Sequence, residues 1–406
     1  MTDFFQRGPI TTLPRLVRDA TRQIEGELAA YARRNPVALL IPCLVSELEQ
    51  PALARMVAEL TGTPYLDTVV ISLDRADEAG YRAALEYFRD LKVRTVVVWN
   101  DAEPIAAIIA EIERSVLRLA PRGKGRAVWV GFGAVIGEGR AASVALLDAD
   151  VVTFERSLLT NLVYPIVHPA LDFDYSKAYY ARFSDRLHGR ATRLMVRPLL
   201  QALAATIGQH PYLDYLESFR YPLAGEFAVN ASLLRRLRIP GDWGLEIGLL
   251  FEVLRSRSPR RICQVDVADR FDHKHQALSA EDPGAGLHRM AVDITKHLLR
   301  TLAAAGVVVP SSHFKGLRVA FQRFAEDAVA DSFAVAIFNG LSFDRHAEEE
   351  AVDVFTRAFA EGCDQFLQDP LGTPALPNWS RVLSAMPGIG DQLIRAVHEL
   401  GGVLEG

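Results

Sequence analysis

The sequence predicts an α/β protein: a mostly parallel sheet flanked by helices, followed by an α-helical C-terminal extension. Three observations carry that prediction. Short apolar runs alternate with amphipathic segments between residues 37 and 147, the pattern of a parallel sheet with helical crossovers. The runs end in turn-forming or acidic residues, and ligands bind at the carboxyl ends of such strands. From about residue 285 onward the periodicity is almost wholly helical.

Residues 12–34 have amphipathic helical spacing and stop before Asn35-Pro36. Val37–Ile41 is a short apolar strand ending at Pro42, and 50–62 is helical. Leu66–Leu73 and Val93–Trp99 read as the next strands, with helices over 77–91 and 103–119. A helix over 125–139 leads to the strand Ser143–Leu147. The middle of the chain is less regular, with helices at 156–163, 192–206 and 244–256 and short strands at 223–229 and 261–267. Helices at 285–306, 314–332, 346–368 and 390–400 complete the pattern. The division expected is an N-terminal helix over 1–36, an α/β domain over 37–284 and a helical region over 285–406. Within the α/β domain, 37–155 is a first, regularly alternating half and 156–284 a second, less regular one.

The 406 residues, half of them hydrophobic and 23% charged, suffice for a sizeable core. A net charge of −5 argues against nonspecific nucleic-acid binding, which needs a basic surface. Cys43, Cys263 and Cys363 lie far apart without metal-ligand spacing, as expected of buried thiols in a reducing compartment. Met1 to Thr12 carries Asp3 and Arg7 and no apolar core of a signal peptide. No run reaches the roughly 18–20 apolar residues of a membrane span, so a cytoplasmic protein without membrane association is expected.

Asp148-Ala149-Asp150, at the end of an apolar strand, is the strongest chemical signal. Alternate residues of a strand share a face, so both carboxylates can address one hard cation such as Mg²⁺ or Mn²⁺ that also holds a diphosphate. Strand-ending aspartates also form ordinary Asx turns; the apolar strand and the α/β setting favour the metal. Gly123-Lys124-Gly125 precedes a helix and combines close backbone approach with a point charge, although a solvated loop has the same composition. In Asp272-His273-Lys274-His275 an imidazole is available as a further ligand; a polar loop is the simpler account of that run taken alone. Gly189-Arg190-Ala191-Thr192 opens a helix and suits a phosphate or carboxylate, or is only a capped helix start. Glu226 and Glu246 are acids in apolar surroundings, where an unpartnered carboxylate is costly. Pro42, Asp74 and Asp148/Asp150 all fall at carboxyl ends of strands, in keeping with one shared site.

Taken in order, Pro42 with Glu47, Gly123-Lys124-Gly125, Asp148-Ala149-Asp150, Gly189-Arg190-Ala191-Thr192 with Arg197-Pro198-Leu199-Leu200, Pro222-Leu223-Ala224-Gly225-Glu226, Gly244-Leu245-Glu246-Ile247-Gly248 and His273 resemble the glucosyl-3-phosphoglycerate synthases. These are retaining glycosyltransferases of the GT-A fold, and the resemblance covers roughly residues 37–280. It implies transfer of glucose from a nucleoside diphosphate-glucose to the 2-hydroxyl of 3-phosphoglycerate, with Mg²⁺ or Mn²⁺ as cofactor and a homodimer as the usual assembly. It further implies that Asp150 and His273 bind the metal, with Asp148 at the metal or the ribose. Pro42, Glu47, Ser72, Asp74, Lys124, Asp148 and Glu226 would line the nucleotide sugar, and Glu246 would hold sugar hydroxyls. Gly189, Arg190, Thr192 and His275 would receive the acceptor, and Asp150, Glu246 and Arg190 would be the residues on which catalysis depends. Four departures stand out, the first a helical tail longer than expected from the actinobacterial members. Pro42-Cys43-Leu44-Val45-Ser46-Glu47 lacks the family's paired acids, Ser72-Leu73-Asp74-Arg75 lacks its serine- and glycine-rich turn, and His275 replaces a common asparagine.

Mannosyl transfer, or glycerate as acceptor, would use the same pattern. A sugar nucleotidyltransferase fits the aspartates, but its glycine-rich loop after the first strand is missing. A silent sugar-nucleotide binding module is the remaining alternative.

Overall fold

The computed structural model describes residue 6 and residues 8–17, 20–115, 119, 121–273 and 286–406. Among these a single nine-stranded sheet runs through the molecule. Its strands are β1 (Thr11–Leu13), β2 (Val37–Leu44), β3 (Leu66–Asp74), β4 (Arg94–Trp99), β5 (Ser143–Leu146), β6 (Tyr175–Tyr180), β7 (Phe227–Asn230), β8 (Ile262–Ala268) and β9 (Val403–Leu404). They lie in the order β1-β8-β6-β7-β5-β2-β3-β4-β9. All neighbouring pairs are parallel except those of β7 with β5 and β6, and of β9 with β4.

The central strands are buried on both faces, as parallel strands between helices must be. Successive residues feed different cores: Leu40, Val70, Val96 and Val98 join one cluster, and Leu39, Ile41, Val69 and Ile71 the other. The helices follow ordinary capping chemistry. Pro51 stands at the start of the helix Pro51–Leu60, and the Asp77 side chain accepts from the Gly80 amide (2.8 Å) to open Glu78–Phe88. The helix Lys124–Glu138 is buried along nearly its whole length. Gly133 makes that possible, because a Cβ there would stand 2.1 Å from the Trp379 ring.

The helical C-terminal region is anchored at this point. Trp129 and Trp379 stack with centroids 4.7 Å apart. Trp129 Nε1 donates to the Pro377 carbonyl (2.7 Å) and Trp379 Nε1 to the Trp129 carbonyl (2.8 Å). Both indole N–H groups are thereby satisfied in a dry interface.

Four features differ from the sequence expectation. Residues 12–34 are not one helix: β1 pairs with β8, and the helix spans only Thr21–Ala32. β2 does not stop at Pro42 but continues to Leu44. Pairing with β5 ends at Leu40, so Pro42 is flanked by β3 alone and disrupts no second ladder. β6 is a strand that the sequence did not announce, because Lys177 and Ser176 break its apolar pattern although both are buried. β9 closes the far edge of the sheet, so chain segments from both ends of the sequence belong to it. No helix among the described residues is long and apolar enough to cross a membrane.

Candidate functional site

β5 delivers Asp148 and Asp150 to the carboxyl end of the sheet. The strand ends at Leu146, which pairs with Phe227 at the start of the antiparallel β7. Antiparallel register therefore sets Gly225 and Glu226 beside Asp148. The approach is close: a Cβ on Gly225 would lie 2.5 Å from Asp148 Oδ2, so only glycine fits. Beyond Asp150, Val151 forms an antiparallel bridge with His273, and the Val152 amide donates to the Asp272 carbonyl (2.8 Å). The His273 backbone is thus held one residue from Asp150.

Lys124 opens its helix and donates Nζ to Asp148 Oδ2 (2.7 Å), with Glu246 Oε1 at 3.5 Å. Gly125 lets the loop close, since a Cβ there would meet the Pro240 carbonyl at 2.2 Å. Glu246 lies in the first turn of the helix Leu245–Ser256. Desolvation opposes the charge of Lys124, but Asp148, Glu246 and Glu226 outweigh it and hold the ammonium above its ordinary value. Asp150 is pushed up to about 6 by burial, then by Asp148 and Glu47, with Lys124 opposing. Glu226 is 1% exposed and is pushed up to about 7 by burial and Asp148, although the Tyr180 hydroxyl donates to its Oε2 (2.8 Å). Lys177 lies beneath, fully buried, with Nζ donating to the Ala224 carbonyl (2.6 Å) and its value lowered to about 8 by burial.

These observations test whether a divalent cation fits. Asp148 Oδ1 is buried without a hydrogen-bond partner among the described residues. Asp150 is burdened by neighbouring carboxylates, and a cation relieves both conditions. No three His, Cys, Asp or Glu side chains among the described residues form a ready-made cage. That suits an ion whose coordination is completed by substrate phosphates rather than by a full protein cage.

The other sequence-predicted residues on the donor side line the same sheet end. Pro42 is in register with Ser72, and Glu47 follows in the turn Val45–Glu49, 7% exposed. Ser72 is buried, donates Oγ to the Ala127 carbonyl (2.7 Å) and accepts from Asn100 Nδ2 (3.0 Å). Asp74 Oδ1 accepts from Arg122 Nε (3.1 Å) and Nη2 (2.7 Å), and Arg122 also pairs with Asp101.

The residues expected to receive the acceptor sit on the neighbouring loop. Gly189 has φ +72, and a Cβ there would stand 2.9 Å from the Tyr221 hydroxyl, which accepts from Arg182 Nη1 (3.2 Å). Arg190 begins a helical run in which the π-turn Ala191–Val196 passes directly into Arg197–Ile207. The Thr192 hydroxyl is buried without a partner among the described residues. Arg190 Nε donates to Glu348 Oε1 (2.7 Å). His275 falls outside the described residues.

No family model matches the chain. Over 399 residues it is 41% identical to the glucosyl-3-phosphoglycerate synthase of Persephonella marina, covering 98% of this chain and 99% of that protein. The chain belongs to the glucosyl-3-phosphoglycerate synthase family. The synthase of Methanococcoides burtonii is 38% identical over 399 residues, covering 97% of both chains. Crystal structures of the Mycobacterium tuberculosis synthase share the fold. The complex with Mn²⁺, uridine diphosphate and glucosyl-3-phosphoglycerate matches with a TM-score of 0.51 at 21% identity, over 74% of this chain and 89% of that one. The GT-A architecture and the glycosyltransferase class expected from the sequence are borne out.

Sequence reasoning missed Lys177, Arg122 and Glu348. Lys177 carried a signal, a lone cation inside an apolar run, but its strand went unrecognised. Arg122 stands directly before the Gly123-Lys124-Gly125 loop. Glu348 carried none, because its partners are 155 and 158 residues away.

Proposed function

We propose that the chain transfers glucose from UDP-glucose to the 2-hydroxyl of 3-phosphoglycerate, with retention at the anomeric carbon. Family membership supplies the reaction class. The observation that carries the site assignment is the excess of half-buried carboxylate at the end of β5, where Asp148 keeps a buried, unpartnered oxygen beside the raised Asp150. The donor is read from the uridine diphosphate-glucose bound by the Mycobacterium tuberculosis synthase together with Mn²⁺ and phosphoglyceric acid.

Asp150, Asp148 and His273 would hold Mg²⁺ or Mn²⁺, which supplies charge neutralisation at the diphosphate. Lys124 adds a fixed positive charge on the same side, oriented by Asp148 and Glu246. Pro42, Glu47, Ser72, Asp74 and Glu226 form the donor wall, and Glu246 accepts hydroxyl hydrogen bonds from glucose. Gly189, Arg190, Thr192 and His275 receive the acceptor phosphate and carboxylate; the unpartnered Thr192 hydroxyl supports this reading. The acceptor oxygen bonds the anomeric carbon on the face that the diphosphate leaves, and its proton passes to the departing phosphate oxygen. The transition state is oxocarbenium-like, and the site stabilises it by charge rather than by a protein nucleophile.

The division of labour follows the chain only in part: residues 37–155 supply most of the donor wall, 156–284 carry the acceptor residues and add Glu226, Glu246 and His273 to the donor side, and 285–406 brace both. A homodimer suits the apolar exposure of the helix His313–Phe338, where Val319, Ile337 and Phe338 are 73%, 58% and 90% exposed. Three buried free thiols agree with a reducing, cytoplasmic setting.

The test offers UDP-, GDP- and ADP-glucose and GDP-mannose with Mg²⁺ against 3-phosphoglycerate and D-glycerate, reading product by mass spectrometry and anomeric configuration by NMR. An α-glucosyl phosphoglycerate from UDP-glucose is expected. Product from GDP-mannose or glycerate alone would overturn the substrate assignment, and a β-linked product would overturn retention.

A further inference from the structure

We propose that Glu348, in the helical C-terminal region, is a positioning residue of the acceptor site: it fixes the Arg190 guanidinium so that the acceptor phosphate meets a preset cation. The proposal rests on the reading that Arg190 receives the acceptor.

Glu348 lies near the start of the helix Arg345–Gln368 and is 5% exposed. Its two oxygens are divided between two arginines of the acceptor loop. Oε1 accepts from Arg190 Nε (2.7 Å) and Oε2 from Arg193 Nη2 (3.0 Å). Arg193 is held further by Ser332 Oγ (2.6 Å) on the neighbouring helix and by the His188 carbonyl (3.0 Å). The same loop is strapped again where Arg186 bridges Ser342 and the Ser342 amide donates to the Asp185 carbonyl (2.8 Å). Contacts from the helical region therefore meet the loop from residue 185 to residue 193.

The chemistry of the contact gives it direction. A guanidinium offers an Nε edge and an Nη edge, and a carboxylate on one fixes the plane of the other. Glu348 occupies the Nε edge of Arg190, and the Nη atoms meet no other partner among the described residues. Two arginines against one carboxylate leave net positive charge in the loop, which suits a phosphate. A buried, forked carboxylate loses little entropy when ligand arrives, so Arg190 is preorganised for binding.

The experiment compares steady-state kinetics of Glu348→Gln, Glu348→Asp, Ser332→Ala and Arg190→Ala with the parent protein. Glutamine keeps the shape of Glu348 but turns one acceptor oxygen into a donor facing a guanidinium. Glu348→Gln is expected to raise the KM for 3-phosphoglycerate about tenfold while kcat and the KM for UDP-glucose change less than about twofold. The preference for 3-phosphoglycerate over D-glycerate should shrink by the same factor, a change that general loosening of the fold would not produce. Glu348→Asp should recover part of the loss, and Ser332→Ala, which removes one of the three contacts on Arg193 and none on Arg190, should give a smaller rise of the same kind. An unchanged acceptor KM in Glu348→Gln, with Arg190→Ala still raising it, overturns the positioning role alone. An unchanged acceptor KM in Arg190→Ala overturns the acceptor assignment itself. If Glu348→Gln fails to fold, Glu348→Asp and Ser332→Ala decide: a selective rise in acceptor KM in either supports the proposal, and equal effects on both substrates overturn it.

Discussion

At the end of β5, Asp148, Asp150, Glu226 and Glu246 surround Lys124, and Asp150 is driven upward by burial and then by its acidic neighbours. In the acceptor loop, Arg190 and Arg193 converge on the single carboxylate of Glu348. The first region carries surplus negative charge, the second surplus positive charge, and the two lie at the same end of one sheet. The difference matches the two substrates. A diphosphate that arrives with a divalent cation needs carboxylates left over to hold that cation, whereas a phosphorylated acid that arrives alone needs a cation already in place.

The comparison breaks most readily at Asp150. Asp150→Asn removes a proposed metal ligand and one member of a like-charged cluster, so kcat should fall by about three orders of magnitude. The melting temperature should hold or rise, because the substitution also relieves repulsion. Turnover within a few-fold of the parent would detach Asp150 from the chemistry. At the other region, Arg190→Ala should raise the acceptor KM by roughly tenfold to a hundredfold with little change in the donor KM. Steady-state kinetics with each substrate varied in turn separate the two outcomes.

A smaller effect is expected at the seam. Gly225→Ala would put a Cβ 2.5 Å from Asp148 Oδ2, and both that carboxylate and β7 are fixed in position. A loss of about tenfold in kcat/KM should follow, with far-UV circular dichroism unchanged; full activity would show that Asp148 can move without consequence.

The smallest effect concerns pH. Glu226 has an ordinary value of 4.5 and stands at about 7 when folded. Between those values the folded chain binds more protons than the unfolded one, so this residue's contribution to stability increases as pH falls through 7 and is lost as pH rises. In the metal-free protein, Glu226→Gln should flatten the fall in melting temperature between pH 5 and pH 7.5 by a few degrees. An identical slope in the variant would mean that Glu226 does not change protonation there.

The same two regions show what the sequence made legible. The donor end rests on β2, β3 and β5, whose apolar runs were readable, and the position of Asp148 and Asp150 at the strand end followed from them. The acceptor loop was readable only as a motif. Its electrostatic partner Glu348 lies on a helix whose amphipathic pattern gives no sign of which charge turns inward, and it meets the loop only after the chain has folded back. β6 was hidden because Lys177 interrupts an apolar run, and the early strand β1 because three residues that pair across to β8 carry no pattern of their own. Long-range pairing, rather than local propensity, decided each of these.

The carboxylates at the end of β5 are proposed to share a cation with the donor diphosphate. Calorimetric titration of UDP into the parent protein and into Asp150→Asn, each with and without Mg²⁺, tests it directly. Mg²⁺ is expected to tighten UDP binding to the parent by about a hundredfold and to change binding to the variant by little. Equal UDP affinity with and without Mg²⁺ in the parent, or the same Mg²⁺ enhancement in Asp150→Asn, would contradict it.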